Sequence, residues 1–327
     1  MQVLPDLLSS ARMARVTSRL KADLDRSAME AVTGERRDVT RAVNGQLGQV
    51  HRLRAQIAGA EASETRLAVA EGRHRTAGAA LSALRTSTQN LGIEALNAAV
   101  AGGATGVDAF ARRASAALAD ASGRLNSRFD GRALFAGAAA DGQAIDADAL
   151  LSGIDAALAA AAPTAAARIA ALNAFFAPGG GFDAAYRGDA APASEAPLPD
   201  GSALDPLPRG DEGAVRDLLR GLSLVAAAAD LPQADAVALA RAGTGALRAA
   251  GEGLAAWEAS VGLGLARIDA ARGQAADDAR VASGLLSNLT GRDAFEAASE
   301  AQDLETRLQA AYQITARLGR LSITDYL

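Results

Sequence analysis

Apolar and small residues return at alternating steps of four and three near the end of the chain: Ala301, Leu304, Leu308, Ala311, Thr315 and Leu318. That spacing places them on one helix face. Leu4, Leu7, Leu8, Val16 and Leu20 follow a helix-compatible pattern in the first twenty residues. Chain termini are ordinarily where order is lost. Two adhesive termini therefore point to a protein whose work is assembly.

The pattern between them divides the chain. Residues 1–32 read as a helix, with Pro5 near its start and a break at Thr33-Gly34. From about 39 to 100, Val43, Val50 and Ile57 fall seven apart, and Leu53, Ala60 and Leu67 form a companion series. Together they predict a long helix with coiled-coil character, interrupted at Gln46 and Glu64. Gly102-Gly103 is a turn. Residues 107–128 form a further helix with Val107, Phe110, Ala114, Ala117, Leu118, Ala121 and Leu125 on its core side. It stops near Phe129-Asp130-Gly131, and Arg132 to Gly137 reads as a strand or tight loop at a domain edge, with Phe129 and Phe135 packing there.

The composition then changes. Gly179-Gly180-Gly181 and prolines at 178, 192, 197, 199, 206 and 208 break the helical pattern over 138–208, although Ile154 to Leu172 suits a helix. Helical pattern returns near 211, with Val215, Leu218, Leu219, Leu222 and Val225 on one face up to Leu231-Pro232. A long stretch from about 235 to 286 follows, then a helix over 293–321. Asp293 caps that last helix, with Glu296 in the reciprocal position. The expected fold is mainly α: a long antiparallel helical rod built from both ends of the chain, with a smaller inserted, turn-rich domain for which a mixed or β-containing fold stays open. Its parts are an N-terminal assembly helix (1–32), the rod's first part (33–137), an inserted outward-facing domain (138–208), the rod's second part (209–290) and a C-terminal assembly helix (291–327).

Half of the residues are apolar but only 3% are aromatic, and much of the apolar content is alanine. Alanine favours helix and close approach while burying little area, which argues for slender helical packing. The 33 basic and 38 acidic residues nearly balance, at a net −5; no general basic field exists to attract nucleic acid. The cluster Arg12, Arg15, Arg19 and Lys21 is local, a solvated face or a stripe that docks on a partner. No run approaches the ~20 apolar residues of a membrane span, so membrane insertion is not expected. The start lacks a basic segment followed by a continuous apolar run, so a cleaved signal peptide is not expected either.

Candidate chemistry is sparse. His51 and His74 are the only histidines, they are far apart, and the chain has no cysteine; a Cys/His metal site is ruled out. Asp277-Asp278 and Glu300 with Asp303 have the spacing of solvated helix faces. The stretch Gly243-Thr244-Gly245 lacks the Lys-Ser/Thr ending of a phosphate loop. Trp257 sits in a helical pattern with Leu254 and Val261, which suits core packing. No catalytic residue, metal or cofactor is expected.

Several segments carry a resemblance. The sequence Leu308-Gln309-Ala310-Ala311-Tyr312-Gln313 and the ending Leu321-Ser322-Ile323-Thr324-Asp325-Tyr326-Leu327 resemble the C-terminus of the flagellin superfamily, most closely the hook-associated proteins of the bacterial hook–filament junction. The Tyr326-Leu327 ending favours that branch over flagellins proper. Thr33-Gly34 matches the turn after the family's first helix. Gly131-Arg132-Ala133-Leu134-Phe135-Ala136-Gly137 is similar to the family's Gly-Arg-Tyr-Leu-Phe-Ala-Gly, and Asp293-Ala294-Phe295-Glu296-Ala297-Ala298 to its Asp-Tyr-Ala-Glu-Ala stretch. The matches cover roughly 1–137 and 210–327. Ala133 stands where an aromatic is usual, and the N-terminal segment lacks the common Asn-Thr-Asn-like opening.

The resemblance implies a non-enzymatic structural subunit of an extracellular flagellum, exported without a cleaved signal peptide; the alternative it implies is a divergent flagellin. Its partners would be other copies of itself, a neighbouring hook-associated protein, flagellin and a flagellar export chaperone. The assembly interface expected from the two stripes is Leu4, Leu8, Val16 and Leu20 with Leu304, Leu308, Ala311, Leu318 and Leu321. The same residues also suit an intramolecular core.

Overall fold

The computed structural model describes residues 3–42, 47–102, 104–139 and 141–324, apart from the side chains of 3–10, 41–42, 104 and 318–324. It is 76% helix and 3% strand, which makes the chain mainly α. In chain order the elements are α1 (Val3–Thr33), α2 (Val39–Ala42), α3 (Leu47–Thr88), α4 (Leu91–Ala101), α5 (Ala104–Leu125), β1 (Arg128–Phe129) and β2 (Arg132–Ala133). They continue with α6 (Ala147–Ala160), α7 (Ala165–Phe176), α8 (Phe182–Ala185), α9 (Gly213–Ala226), α10 (Gln233–Thr290) and α11 (Ala294–Thr324). The chain forms two compact units. One comprises Met1–Ala62 with Ala276–Leu327, the other Ser63–Ala275.

The larger unit is organised around one apolar cluster. Ala77, Leu81 and Leu84 of α3, Leu118 and Leu125 of α5, and Leu218 and Leu222 of α9 meet Leu239, Leu247 and Leu254 of α10 in it. The residues expected on the inner faces of α5 and α9 are there. Trp257 packs against this cluster, as its neighbours predict. Between α5 and α6 the chain makes a two-residue hairpin in which Arg128 pairs with Ala133 and Phe129 with Arg132. Its corner, Asp130-Gly131, has φ of 49° and 74°, the left-handed pair that a tight hairpin of this twist requires. The hairpin rests on α3 at Gly72, where a Cβ would lie 2.3 Å from Cζ of the Phe129 ring. Phe135, beyond the hairpin, is fully buried.

The segment 138–208 is more helical than its glycines and prolines imply. One helix from Ile154 to Leu172 does not form; Pro163 divides that stretch into α6 and α7, since proline forces the residue before it out of the helical region. Asp146 caps α6 by accepting from the Ala149 N–H at 3.1 Å. Thr164 caps α7, and Asp235 of α10 accepts the Ala165 N–H at 2.9 Å. Extended pairing in the segment is confined to the isolated bridges Ile145–Tyr186 and Pro197–Ala203 among the described residues. Leu150, Ile154, Leu172, Phe176 and Phe182 belong to the same apolar cluster as α5 and α9. The proline-rich stretch that follows lays Leu198 and Leu204 against Leu67 and Ala70 of α3 and Ile268 and Ala271 of α10.

The smaller unit holds both chain ends. The end of α1 and the α10–α11 corner are tied by main-chain hydrogen bonds, Arg36 N–H to Thr290 O at 2.8 Å and Arg292 N–H to Gly34 O at 2.9 Å. Asp293 caps α11, accepting from the N–H groups of Phe295 and Glu296 at 2.8 and 3.0 Å. The reciprocal half of the expected capping box is replaced: the Glu296 carboxylate lies 3.2 Å from Arg292 instead. In α3 the described members of the sevenfold series behave as expected; Val50 and Leu53 are buried, and Ile57 and Ala60 half-buried. Val43 and Gln46 lie outside the described residues.

Two glycine substitutions in the larger unit separate close approach from helix propensity. Gly72→Ala forces Phe129 off α3, and we expect a loss of about 1–3 kcal/mol. Gly123→Ala in α5 meets nothing within 4 Å and is expected to gain about 0.5–1 kcal/mol. Urea unfolding of the two variants checks both signs.

Candidate assembly surface

The helices α1 and α11 run antiparallel. Ser27 donates its hydroxyl to Ala297 O at 2.9 Å, across 270 residues of sequence, and Glu30 lies 3.8 Å from Arg292. From this anchor the seam repeats in steps of four and three. Met13, Thr17, Leu20, Leu24, Ser27 and Ala31 form it on α1; Ala297, Ala301, Leu304, Leu308 and Ala311 form it on α11. This is the alternation of a coiled-coil seam. Burial is graded along it. Ser27, Ala297, Leu304 and Ala311 are buried, while Leu20, Leu24 and Leu308 are only half-buried. Thr315 is exposed and returns its hydroxyl to Ala311 O at 2.8 Å.

The expected interface residues thus separate. Leu20, Leu304, Leu308 and Ala311 meet in the chain's own helix pair. Val16 lies off the seam and is 50% exposed, because the α1 series passes through Met13 and Thr17 and leaves residue 16 on the flank. The side chains of Leu4, Leu8, Leu318 and Leu321 lie outside the described residues, although α1 and α11 run through their positions. Of the two aromatic residues expected at a domain edge, Phe129 is half-buried over Gly72 and Phe135 is in the core.

Beyond Val16, apolar area is left uncovered on residues that were not expected at the interface. Phe295 is 85% exposed, as is Val32, and Val281, Leu285, Tyr312 and Ile314 are also exposed. These lie in the smaller unit; Ile93, Val100 and Leu263 are comparably exposed in the larger one. Their signal in the sequence is weak: each is an apolar residue off the seam of an otherwise polar helix, and a face-seeking pattern discards it. Single exposed apolar residues are ordinary; Val32 on α1 and Phe295, Tyr312 and Ile314 on α11 join Val16 as the candidates on the paired helices for a contact surface.

A buried polar cluster lies in the larger unit. Glu195, from the proline-rich stretch, reaches Arg73 of α3 at 3.4 Å, and its carboxylate is almost fully buried. One of its oxygens, Oε1, and Arg73 Nε have no hydrogen-bond partner. Burial, partly offset by Arg73, His74 and Arg132, raises its pKa above the ordinary glutamate value. His74 is buried too. Its Nδ1 sits 2.9 Å from Ala70 O and so carries the proton, and its far edge lies against Gly264, where a Cβ would come within 2.9 Å. Glu64 and Glu71 of α3 share Arg272 of α10. The Glu195–Arg73 pair holds the strap to α3, and the Arg272 pairs join α3 to α10. Among the described residues no group of three His, Asp or Glu side chains is placed to hold a metal ion, and no helix is long and apolar enough to cross a membrane.

No protein-family model matches the chain, and no curated protein matches it.

Two outcomes test this geometry. Leu304→Ala is expected to destabilise the α1–α11 pair by about 2–4 kcal/mol, whereas Val16→Ala in the monomer changes stability by less than about 0.5 kcal/mol; hydrogen exchange across 11–33 and 294–317 reads both. For Glu195 the native pKa is the higher, so the folded state binds the extra proton. Its contribution is fully present below the unfolded glutamate pKa and is lost as pH rises through the raised native value. The melting temperature of the wild type, relative to Glu195→Gln, is therefore expected to fall as pH climbs from 4 towards neutrality. A difference that is flat or rises with pH contradicts the assignment.

Proposed function

We propose that this chain is a structural, non-enzymatic subunit of the extracellular bacterial flagellum, assembling at the junction between hook and filament through its terminal helices. In this reading 1–32 and 291–327 are the assembly helices, 33–137 and 209–290 the two parts of a helical rod, and 138–208 an inserted, outward-facing segment. The observation that carries the proposal is the antiparallel pairing of the two chain ends, α1 with α11, combined with apolar residues left uncovered on that pair. A two-helix seam leaves leucines half-buried, and helices in proteins draw most of their stability from packing an amphipathic face. Repetition of the pair in a tube supplies the missing cover, each copy burying against its neighbours. The resemblance of 308–327, 131–137 and 293–298 to the hook-associated proteins supports the same reading. Its partners are then copies of itself, an adjoining hook-associated protein and flagellin, with a chaperone during export.

Ala133 favours a second reading, a divergent flagellin, because it stands at a position usually aromatic in the junction proteins; the residue is buried in the hairpin. Growth of the purified protein into long filaments selects that alternative.

Removal of 305–327 deletes about two-thirds of α11 but none of the larger unit. The expected product is soluble and mostly folded by circular dichroism, yet missing from the appendage. Labelled full-length protein is expected at the base of the external filament. Normal incorporation of the truncated chain contradicts the proposal.

A further inference from the structure

The outer surface of the α1–α11 pair separates charge along its length. Near the corner, Arg292 gathers Glu30, Glu296 and Glu300 at 3.8, 3.2 and 2.6 Å; these contacts show that the two helices present the same side here. Asp293 and Asp303 extend this acidic band, which remains net negative after Arg292 is counted. Farther from the corner exposed arginines take over. Arg12, Arg15 and Arg19 on α1 are exposed, as are Arg307 and Arg317 on α11, and the three α1 arginines make no ion pair among the described residues.

Each band also carries an apolar feature. Val16 and Leu20 line a shallow hollow with Arg15, Arg19 and Asp23. Phe295 borders a second hollow with Asp293, Glu296, Ser299, Glu300 and Asp303, and its ring stands 85% exposed. One band thus offers a socket rimmed by guanidinium groups, the other a projecting ring rimmed by carboxylates.

We propose that the two bands are the halves of one contact between copies. The basic band of one chain seats on the acidic band of the next, with Phe295 entering the Val16–Leu20 hollow. The inference rests on the assembly reading above and specifies its contact. In the register of the pair the band centres are offset by about eleven residues, so successive parallel copies are displaced axially by roughly 16 Å. The contact is heterologous and leaves one band free at each end, which permits continued addition rather than closure at two. Complementary charge fixes the partner and the stagger, and exposed charge makes the contact sensitive to salt.

The chain has no cysteine, so disulfide trapping starts from a clean background. Val16→Cys copies mixed with Ser299→Cys copies and oxidised are expected to cross-link at least about fivefold more at low salt than at 0.5 M, and more than a Val32→Cys with Ser299→Cys control. The doubly substituted chain is expected to give a ladder of trimers and larger species. Arg15→Glu with Arg19→Glu abolishes the product, and so does Glu300→Lys with Asp303→Lys; mixing these two charge variants, each carrying its cysteine, restores it. A cross-link that ignores salt and charge reversal overturns the proposal, and a product that stops at dimer overturns the displaced, open arrangement. If the Arg15→Glu, Arg19→Glu chain enters the appendage normally, this contact is wrong and the assembly reading survives. If the ladder forms but the wild-type chain never reaches the appendage, the contact stands and the flagellar reading fails.

Discussion

The seam between α1 and α11 is the constraint on which the rest depends. It joins residues some 270 apart in sequence through the Ser27–Ala297 hydrogen bond and is closed at one end by the Gly34–Arg36 and Thr290–Arg292 main-chain pairing. The hydrogen bonds fix the register; leucines and alanines fill the seam. Because the seam is only two helices wide, it leaves Leu20, Leu24 and Leu308 half in water. A fully buried leucine contributes about 1.5–3 kcal/mol, and these realise only part of that within one chain. In the proposed assembly, a neighbouring copy supplies the remainder.

The larger unit solves a different problem. Its helices are rich in alanine, so side-chain volume is scarce and close approach matters more. Gly72 lets a phenylalanine lie directly on α3, and Gly264 admits the edge of His74. Over these helices the proline-rich strap is held by Leu198 and Leu204 and by the buried Glu195–Arg73 pair. Such a pair fixes geometry more than it stabilises, since burial costs both charges their water.

Much of this was legible in the sequence because helical periodicity is a strong signal when the helices are long. The stripe from Ala301 to Ala311, the sevenfold series through Val50 and Ile57, the Asp293 cap and the Asp130-Gly131 corner all follow from spacing and turn chemistry. What was not legible has physical causes. Pro163 sits inside an alanine-rich run whose propensity hides the break. Val16 fits a loose apolar pattern but falls off the seam, whose phase is set by Met13 and Thr17, one of them polar. The burial of His74 depends on a glycine 190 positions away, and that of Glu195 on a strap without periodicity. The outward residue Phe295 is an apolar exception on a polar face, which only the folded pair reveals as a neighbour of charge.

A chain with paired, incompletely covered ends and a separately packed larger unit is suited to a role in which order is completed by neighbours. Hydrogen–deuterium exchange, comparing the purified chain with the same chain in the isolated appendage, tests this most directly. The account predicts strong added protection in 11–33 and 294–317 on assembly, with little change in 147–185. Equal exchange of the terminal helices in the two states, with the chain present in the appendage, would contradict it.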